Sequence, residues 1–148
     1  MLEVGSTSSD NLAAIVNKNL NQFQENYKVL IVEDNKINML LAKTLLKQIV
    51  PNVSLFEAFN GQEALKTVAI INPDLILMDI QMPLMNGYEA TQEIRKIKKF
   101  QEVPIVALTA GIVVGEKDRC LDVGMNDYVS KPIIKKYLEE VILKWLLK

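Results

Sequence analysis

From Tyr27 onward, short apolar runs alternate with amphipathic stretches of helical length. The runs are Val29–Val32, Val53–Ala58, Leu75–Met78, Ile105–Leu108 and Tyr128–Ser130. Those starting at Val29, Leu75 and Ile105 are continuously apolar and rich in Val, Ile and Leu, the pattern of strands covered on both faces. The stretches that follow them are Ile37–Ile49, Gln62–Ile71, Gly87–Lys98, Glu116–Val123 and Ile133–Leu147, where helical periodicity is the stronger signal. In the first, Ile37, Leu41 and Leu45 form one stripe. Pro51, Asn60-Gly61, Pro73, Pro83, Asn86-Gly87, Pro104, Gly124 and Pro132 punctuate the gaps. Five strands, each followed by a helix, predict an α/β fold: a five-stranded doubly wound parallel sheet with right-handed crossovers and helices on both faces. A closed eight-stranded barrel needs more chain than 148 residues.

Residues 1–26 break this rhythm and read as a tag-like or linker segment ahead of a domain spanning 27–148. Leu12, Ile15, Val16, Leu20 and Phe23 fall near helical spacing behind a Ser9 or Asp10 cap, so the segment is either a short amphipathic helix or a frayed end. Composition narrows the chemistry more than the fold. There is one cysteine, Cys120, and no histidine. That excludes an intrachain disulfide, the usual zinc sites, Ser-His-Asp and Cys-His triads, and any phosphorylated histidine within the chain. With a formal net charge of −1, nothing suggests a nucleic-acid footprint. No apolar run approaches the roughly 20 residues of a membrane span, and no signal peptide is evident. The expectation is a cytoplasmic domain without membrane contact.

Open parallel sheets bind ligands beyond the carboxyl ends of their strands. The first run ends in Glu33-Asp34, the third in Asp79, the fourth in Thr109-Ala110 and the fifth in Lys131-Pro132. Singly, each has a plain structural use: Asp34, Asp79 and Thr109 suit caps or turns, and Lys131 suits a solvated surface. Jointly, independent caps have no reason to gather at the same ends of adjacent strands. Three clustered carboxylates and one ammonium leave excess negative charge, which protonation or a divalent cation relieves. An all-oxygen donor set favours Mg²⁺. A Mg²⁺ site beside an amine and a hydroxyl suits a phosphoryl group, with one carboxylate as the nucleophile.

The segments VLIVEDNKINMLLAKTLL, DLILMDIQMPLMNGYEA, VPIVALTA and GMNDYVSKP resemble the response-regulator receiver domain over about residues 27–147. The wording EDNKIN with MDIQMPLMNG is most similar to receivers of hybrid sensor histidine kinases and phosphorelays. The resemblance implies a flavodoxin-like receiver fold. It makes Asp79 the phosphoacceptor and Asp34 the direct Mg²⁺ ligand, with Glu33 assisting through water and the Gln81 backbone carbonyl as a further ligand. Thr109 becomes the hydroxyl that engages the phosphoryl group, Lys131 the cation on its oxygens, and Tyr128 the aromatic switch. The Lys131–Pro132 peptide is expected to be cis. The donor would be a phosphohistidine on a histidine kinase or histidine phosphotransfer domain, and the receiver would catalyse its own phosphorylation and dephosphorylation. No sequence remains for an output domain, so the chain reads as a single-domain regulator or a receiver excised from a hybrid kinase, monomeric or weakly dimeric.

Two rival functions share this fold. An aspartyl-phosphate hydrolase needs a second acid two residues past its nucleophile, where this chain has Gln81. A phosphorylation-independent docking module would lack an acid or the lysine, and none is missing. The stretch Gly111-Ile112-Val113-Val114-Gly115 departs from the family's more polar pattern. It reads as a mobile or partner-facing part of an output face that also includes Tyr128, or as apolar residues packing inward. Lys96, Lys98 and Lys99 cluster at a helix end, where they favour the helix dipole. Met78, Met82, Met85 and Met125 read as fillers of the core and loops.

Overall fold

A computed structural model describes residues 26–111 and 114–147. The amphipathic segment of residues 12–23, and Ile112 and Val113 of the apolar loop, lie outside the described residues. The order of elements is β1 (Tyr27–Val32), α1 (Lys36–Ile49), β2 (Val53–Ala58), α2 (Gly61–Ile71), β3 (Leu75–Asp79), α3 (Gly87–Lys96), a 3₁₀ turn (Lys98–Phe100), β4 (Ile105–Thr109), α4 (Glu116–Asp122), β5 (Asp127–Ser130) and α5 (Lys135–Leu146). The strands form one parallel sheet in the order β2-β1-β3-β4-β5. Val29 pairs with Leu75 between β1 and β3, Ile76 with Ile105 between β3 and β4, and Val106 with Asp127 between β4 and β5. The chain runs outward from β1 to β2 and then reverses to β3. That reversal opens a crevice beyond the carboxyl ends of β1 and β3.

Alternation along the strands supplies two apolar layers. Val29, Ile31, Leu75, Leu77, Val106 and Leu108 face α1 and α5. Leu30, Val32, Ile76, Met78, Ile105 and Ala107 face α2, α3 and Cys120 of α4. Full burial of each Leu or Ile contributes on the order of 2 kcal/mol relative to exposure. This is why β3 and β4, buried along their whole length, carry no polar residue before their last position.

Of the stripe Ile37, Leu41 and Leu45, Leu45 packs partly buried against the core, while Ile37 and Leu41 are exposed. Met39, Ala42, Leu46 and Ile49 are buried, whereas Ile37 is 78% exposed and Leu40 64%. Helix α1 is apolar around most of its circumference, so periodicity alone offers two overlapping stripes. The one that carries small Ala42 faces the sheet, where the helix must approach closely. Several ends also shift. Helix α3 stops at Lys96 and passes into the 3₁₀ turn, and α5 starts at Lys135, because Ile133 is drawn into the core after a cis Lys131–Pro132 peptide. Met78 and Met125 are core residues, while Met82 and Met85 pack partly buried against that core.

Candidate functional site

Every charged or hydroxyl-bearing strand end named above meets in the crevice at the reversal point. Glu33 follows β1, Asp79 ends β3, Thr109 ends β4, and Lys131 follows β5. Together with Asp34, Gln81 and Asn38 they line a cavity of about 360 Å³. Glu33 is 1% exposed and Asp79 4%, whereas Asp34 stands open to solvent. One carboxylate oxygen from each of Glu33, Asp34 and Asp79 lies within 4.8 Å of the others.

Local structure explains each position. Asn35, not Asp34, caps α1: its side chain accepts from the Asn38 N–H at 2.9 Å, which leaves the Asp34 carboxylate free of capping duty. The Asn35 N–H donates to Glu33 Oε2 at 3.1 Å. Asn86 caps α3 through a reciprocal capping box with Glu89. At the first position of α3, Gly87 donates its N–H to the Ile80 carbonyl at 2.8 Å. A Cβ there would stand 2.2 Å from the Asp79 carbonyl oxygen, so only glycine lets α3 start so close to the strand that carries Asp79.

The charges are coupled. Lys131 Nζ lies 2.6 Å from Glu33 Oε1 and 3.1 Å from Asp79 Oδ1. The Glu33 contact is an ion pair rather than an aligned hydrogen bond, so Oε1 keeps acceptor capacity. The Gln81 N–H donates to Asp79 Oδ1 at 3.2 Å. Burial, followed by the neighbouring Glu33, pushes the Asp79 carboxyl up to about 7. Burial also disfavours charge on Glu33, but Lys131, the Asn35 N–H and Asp79 outweigh it and hold Glu33 below the usual carboxylate range. Lys131 is raised: burial opposes its charge, and the two acids more than compensate. Without a cation the two buried acids are therefore unequal, and Asp79 takes up a proton more readily than Glu33.

An all-oxygen cluster with one open, hydrated side fits a hard divalent cation. Glu33, Asp34 and Asp79 are the group of acids that suits one among the described residues. The Thr109 hydroxyl does not touch Asp79 here. It donates to the Gly111 carbonyl at 2.7 Å and accepts from the Gly111 N–H at 3.1 Å. Tyr128 is half-buried on β5 beside β4, where Ala107 is its register partner. Gln81 lines the cavity wall. The N-cap spacing of Asn35 and Asn38 is visible in the sequence, whereas the need for glycine at Gly87, by sequence a breaker, comes from a strand that only the fold brings near.

A family model described as the response regulator receiver domain matches residues 29–143. The sensor histidine kinase GacS of Pseudomonas protegens is 41% identical over 121 residues, which cover 80% of this chain and 13% of that protein. This chain thus spans only a small part of that relative. Among solved structures, the receiver domain of a sensor histidine kinase from Pseudomonas aeruginosa superposes with a TM-score of 0.76 and 33% identity, covering 84% of this chain and all of that one. That structure has a magnesium ion in its active-site cleft. The receiver domain of Saccharomyces cerevisiae Ssk1, solved with the histidine phosphotransfer protein Ypd1, matches with a TM-score of 0.74 and 36% identity over 81% of this chain and 88% of that one.

Proposed function

This chain belongs to the response regulator receiver domain family, and from that premise we propose that it accepts a phosphoryl group from a phosphohistidine onto Asp79 and changes its partner-binding surface in response. The observation that carries this reading is the setting of Asp79. Its carboxylate ends a buried strand in the crevice, 3.1 Å from an ammonium and within 4.8 Å of oxygens from Glu33 and Asp34. A carboxylate oxygen so placed attacks phosphorus in line, forming the Asp79 O–P bond as the P–N bond to the donor imidazole breaks.

Glu33, Asp34, Asp79 and the Gln81 backbone carbonyl would hold Mg²⁺. When bound, that ion neutralises the acid cluster and the equatorial phosphoryl oxygens. Lys131 supplies positive charge to the same oxygens, and its pairing with buried Glu33 holds it in place before the donor arrives. Thr109 exchanges its bond to Gly111 for one to a phosphoryl oxygen. That movement leaves room behind the hydroxyl for Tyr128 to turn inward. We assign Tyr128, the fourth helix and the loop around Val114, which is fully exposed, to the output face.

The chain has no histidine, so the donor lies on another segment or protein. The Ssk1 receiver solved with Ypd1 supports a histidine phosphotransfer domain or histidine kinase in that role. Exposed Ile37, Leu40 and Leu41 on α1, beside the crevice mouth, offer such a helical donor an apolar landing. No described helix is long and apolar enough to cross a membrane, and we place the activity in the cytoplasm, where ATP-derived phosphohistidine is made.

The test is phosphotransfer from a phosphorylated histidine phosphotransfer protein. Label should pass to the wild-type chain with Mg²⁺. It should fail to pass to Asp79→Asn, and fail with EDTA. Equal labelling of Asp79→Asn places the nucleophile elsewhere. Continuous release of phosphate from small esters would mark a hydrolase instead.

A further inference from the structure

Helix α4 is the least anchored of the described helices. It spans Glu116–Asp122, starts after Gly115 without a side-chain cap, and buries only Cys120. On one side an open groove of about 780 Å³ separates it from the β3–α3 loop, with Gln81, Met82, Gly115 and Glu116 among its walls. On the other side, Thr109, Cys120 and Tyr128 enclose a void of about 10 Å³, at the lower limit for a water molecule. Helix α4 thus lies between a groove that leaves it room and a void beside the two residues assigned to the switch.

Tyr88 lines the groove together with Arg119. It is the second residue of α3, reached from Asp79 through the loop that carries Gln81, and it is 7% exposed. Its side chain packs in the same buried apolar layer as Cys120 of α4. Burial is the first cause that pushes this phenol up to about 12, and it therefore keeps its proton at any working pH. The Arg119 guanidinium covers the same ring at 4.2 Å from the centroid. One side chain of α3 therefore holds Arg119 of α4, beside buried Cys120.

We propose that Tyr88 is a positioning residue of the switch: it tethers α4 in the arrangement seen here and so sets how readily Thr109 and Tyr128 move once Asp79 carries a phosphoryl group. The inference rests on the reading of Asp79 as phosphoacceptor and adds to it a brake. A ligand that needs the moved arrangement binds with an apparent affinity reduced by the fraction of molecules able to adopt it. A contact made only in the resting arrangement lowers that fraction, and removing it tightens binding without touching a ligand-binding group.

The experiment uses the full chain and beryllofluoride, a mimic of the phosphoryl group, at saturating Mg²⁺. Mg²⁺ affinity and amide exchange in α4 are measured alongside. Tyr88→Leu keeps an apolar side chain and loses the ring that Arg119 covers. It should bind beryllofluoride about 2- to 10-fold more tightly, exchange its α4 amides faster and keep wild-type Mg²⁺ affinity. Tyr88→Phe retains the ring and should stay close to wild type. A lowered melting temperature with unchanged beryllofluoride affinity in Tyr88→Leu would reduce Tyr88 to ordinary packing and overturn the proposal. If wild type itself binds Mg²⁺ but no beryllofluoride, the phosphoacceptor reading fails, and that failure is visible before any variant is compared.

Discussion

At the scale of single residues, the site stores its chemistry in unequal acids. Asp79 is pushed up from 3.8 to about 7, first by burial and then by Glu33. The folded chain therefore holds a proton there that the unfolded chain releases. The linked stability is complete below the unfolded value and is lost as pH rises through the folded one. In EDTA, the melting temperature of wild type should fall between about pH 5 and pH 7.5, and Asp79→Asn should flatten that slope; parallel slopes would contradict the assignment. Glu33, held low, acts in the opposite sense, but only toward more acid pH. Lys131 serves the fold as well as the proposed reaction. By sequence it suits a solvated surface, yet the amine pairs with a carboxylate that is 1% exposed. Removing one partner of a buried pair costs about 3–5 kcal/mol, because the other charge is left unpaired. We expect Lys131→Ala to lose stability of that order in EDTA and clearly less with saturating Mg²⁺. Denaturant titrations in both conditions measure the difference. Most of this site was legible in the sequence, because acids, hydroxyl and amine all follow apolar runs. Which acid holds the proton was not, since that depends on burial.

The elements show where patterns mislead. The cluster Lys96, Lys98 and Lys99 drew notice in the sequence, and all three are exposed. The cation that matters for the fold is the neighbouring Arg95, half-buried at the end of α3. It donates to the carbonyls of Gly124, Phe100 and Val103 at 2.9, 2.7 and 2.8 Å, and to Asn126 Oδ1 at 2.8 Å. Asn126 Oδ1 also accepts from the Ile105 N–H that opens β4. One guanidinium thus joins α3 to the segments that lead into β4 and β5. Spacing cannot reveal which of four neighbouring cations turns inward, because the acceptors come from loops up to 31 residues away. Arg95→Met should cost roughly 3 kcal/mol in chemical denaturation, as several carbonyls lose a charged donor together. A loss within about 0.5 kcal/mol, the range of ordinary surface changes, would show the network to be incidental. The two overlapping stripes of α1 have the same origin: the pattern shows the helix but not its rotation.

For the whole molecule, strand order and crevice follow from a chain that doubles back once, from β2 past β1 to β3. The sheet was readable because its central strands are buried on both faces and leave little room for another arrangement. Reversal of direction puts Glu33 and Asp34 beside Asp79, and parallel pairing brings Thr109 and Lys131 to the same end. The fold therefore supplies proximity, and the residues supply charge. The central claim is that this crevice makes Asp79 a Mg²⁺-dependent phosphoacceptor. The direct measurement is to incubate the full chain with a small acyl phosphate, reduce the product with borohydride and locate the reduced residue by peptide mass spectrometry. The account predicts one phosphoryl group per chain, dependent on Mg²⁺, with reduction at position 79. Phosphorylation that survives EDTA, or reduction at Glu33 or Asp34 instead, would contradict it.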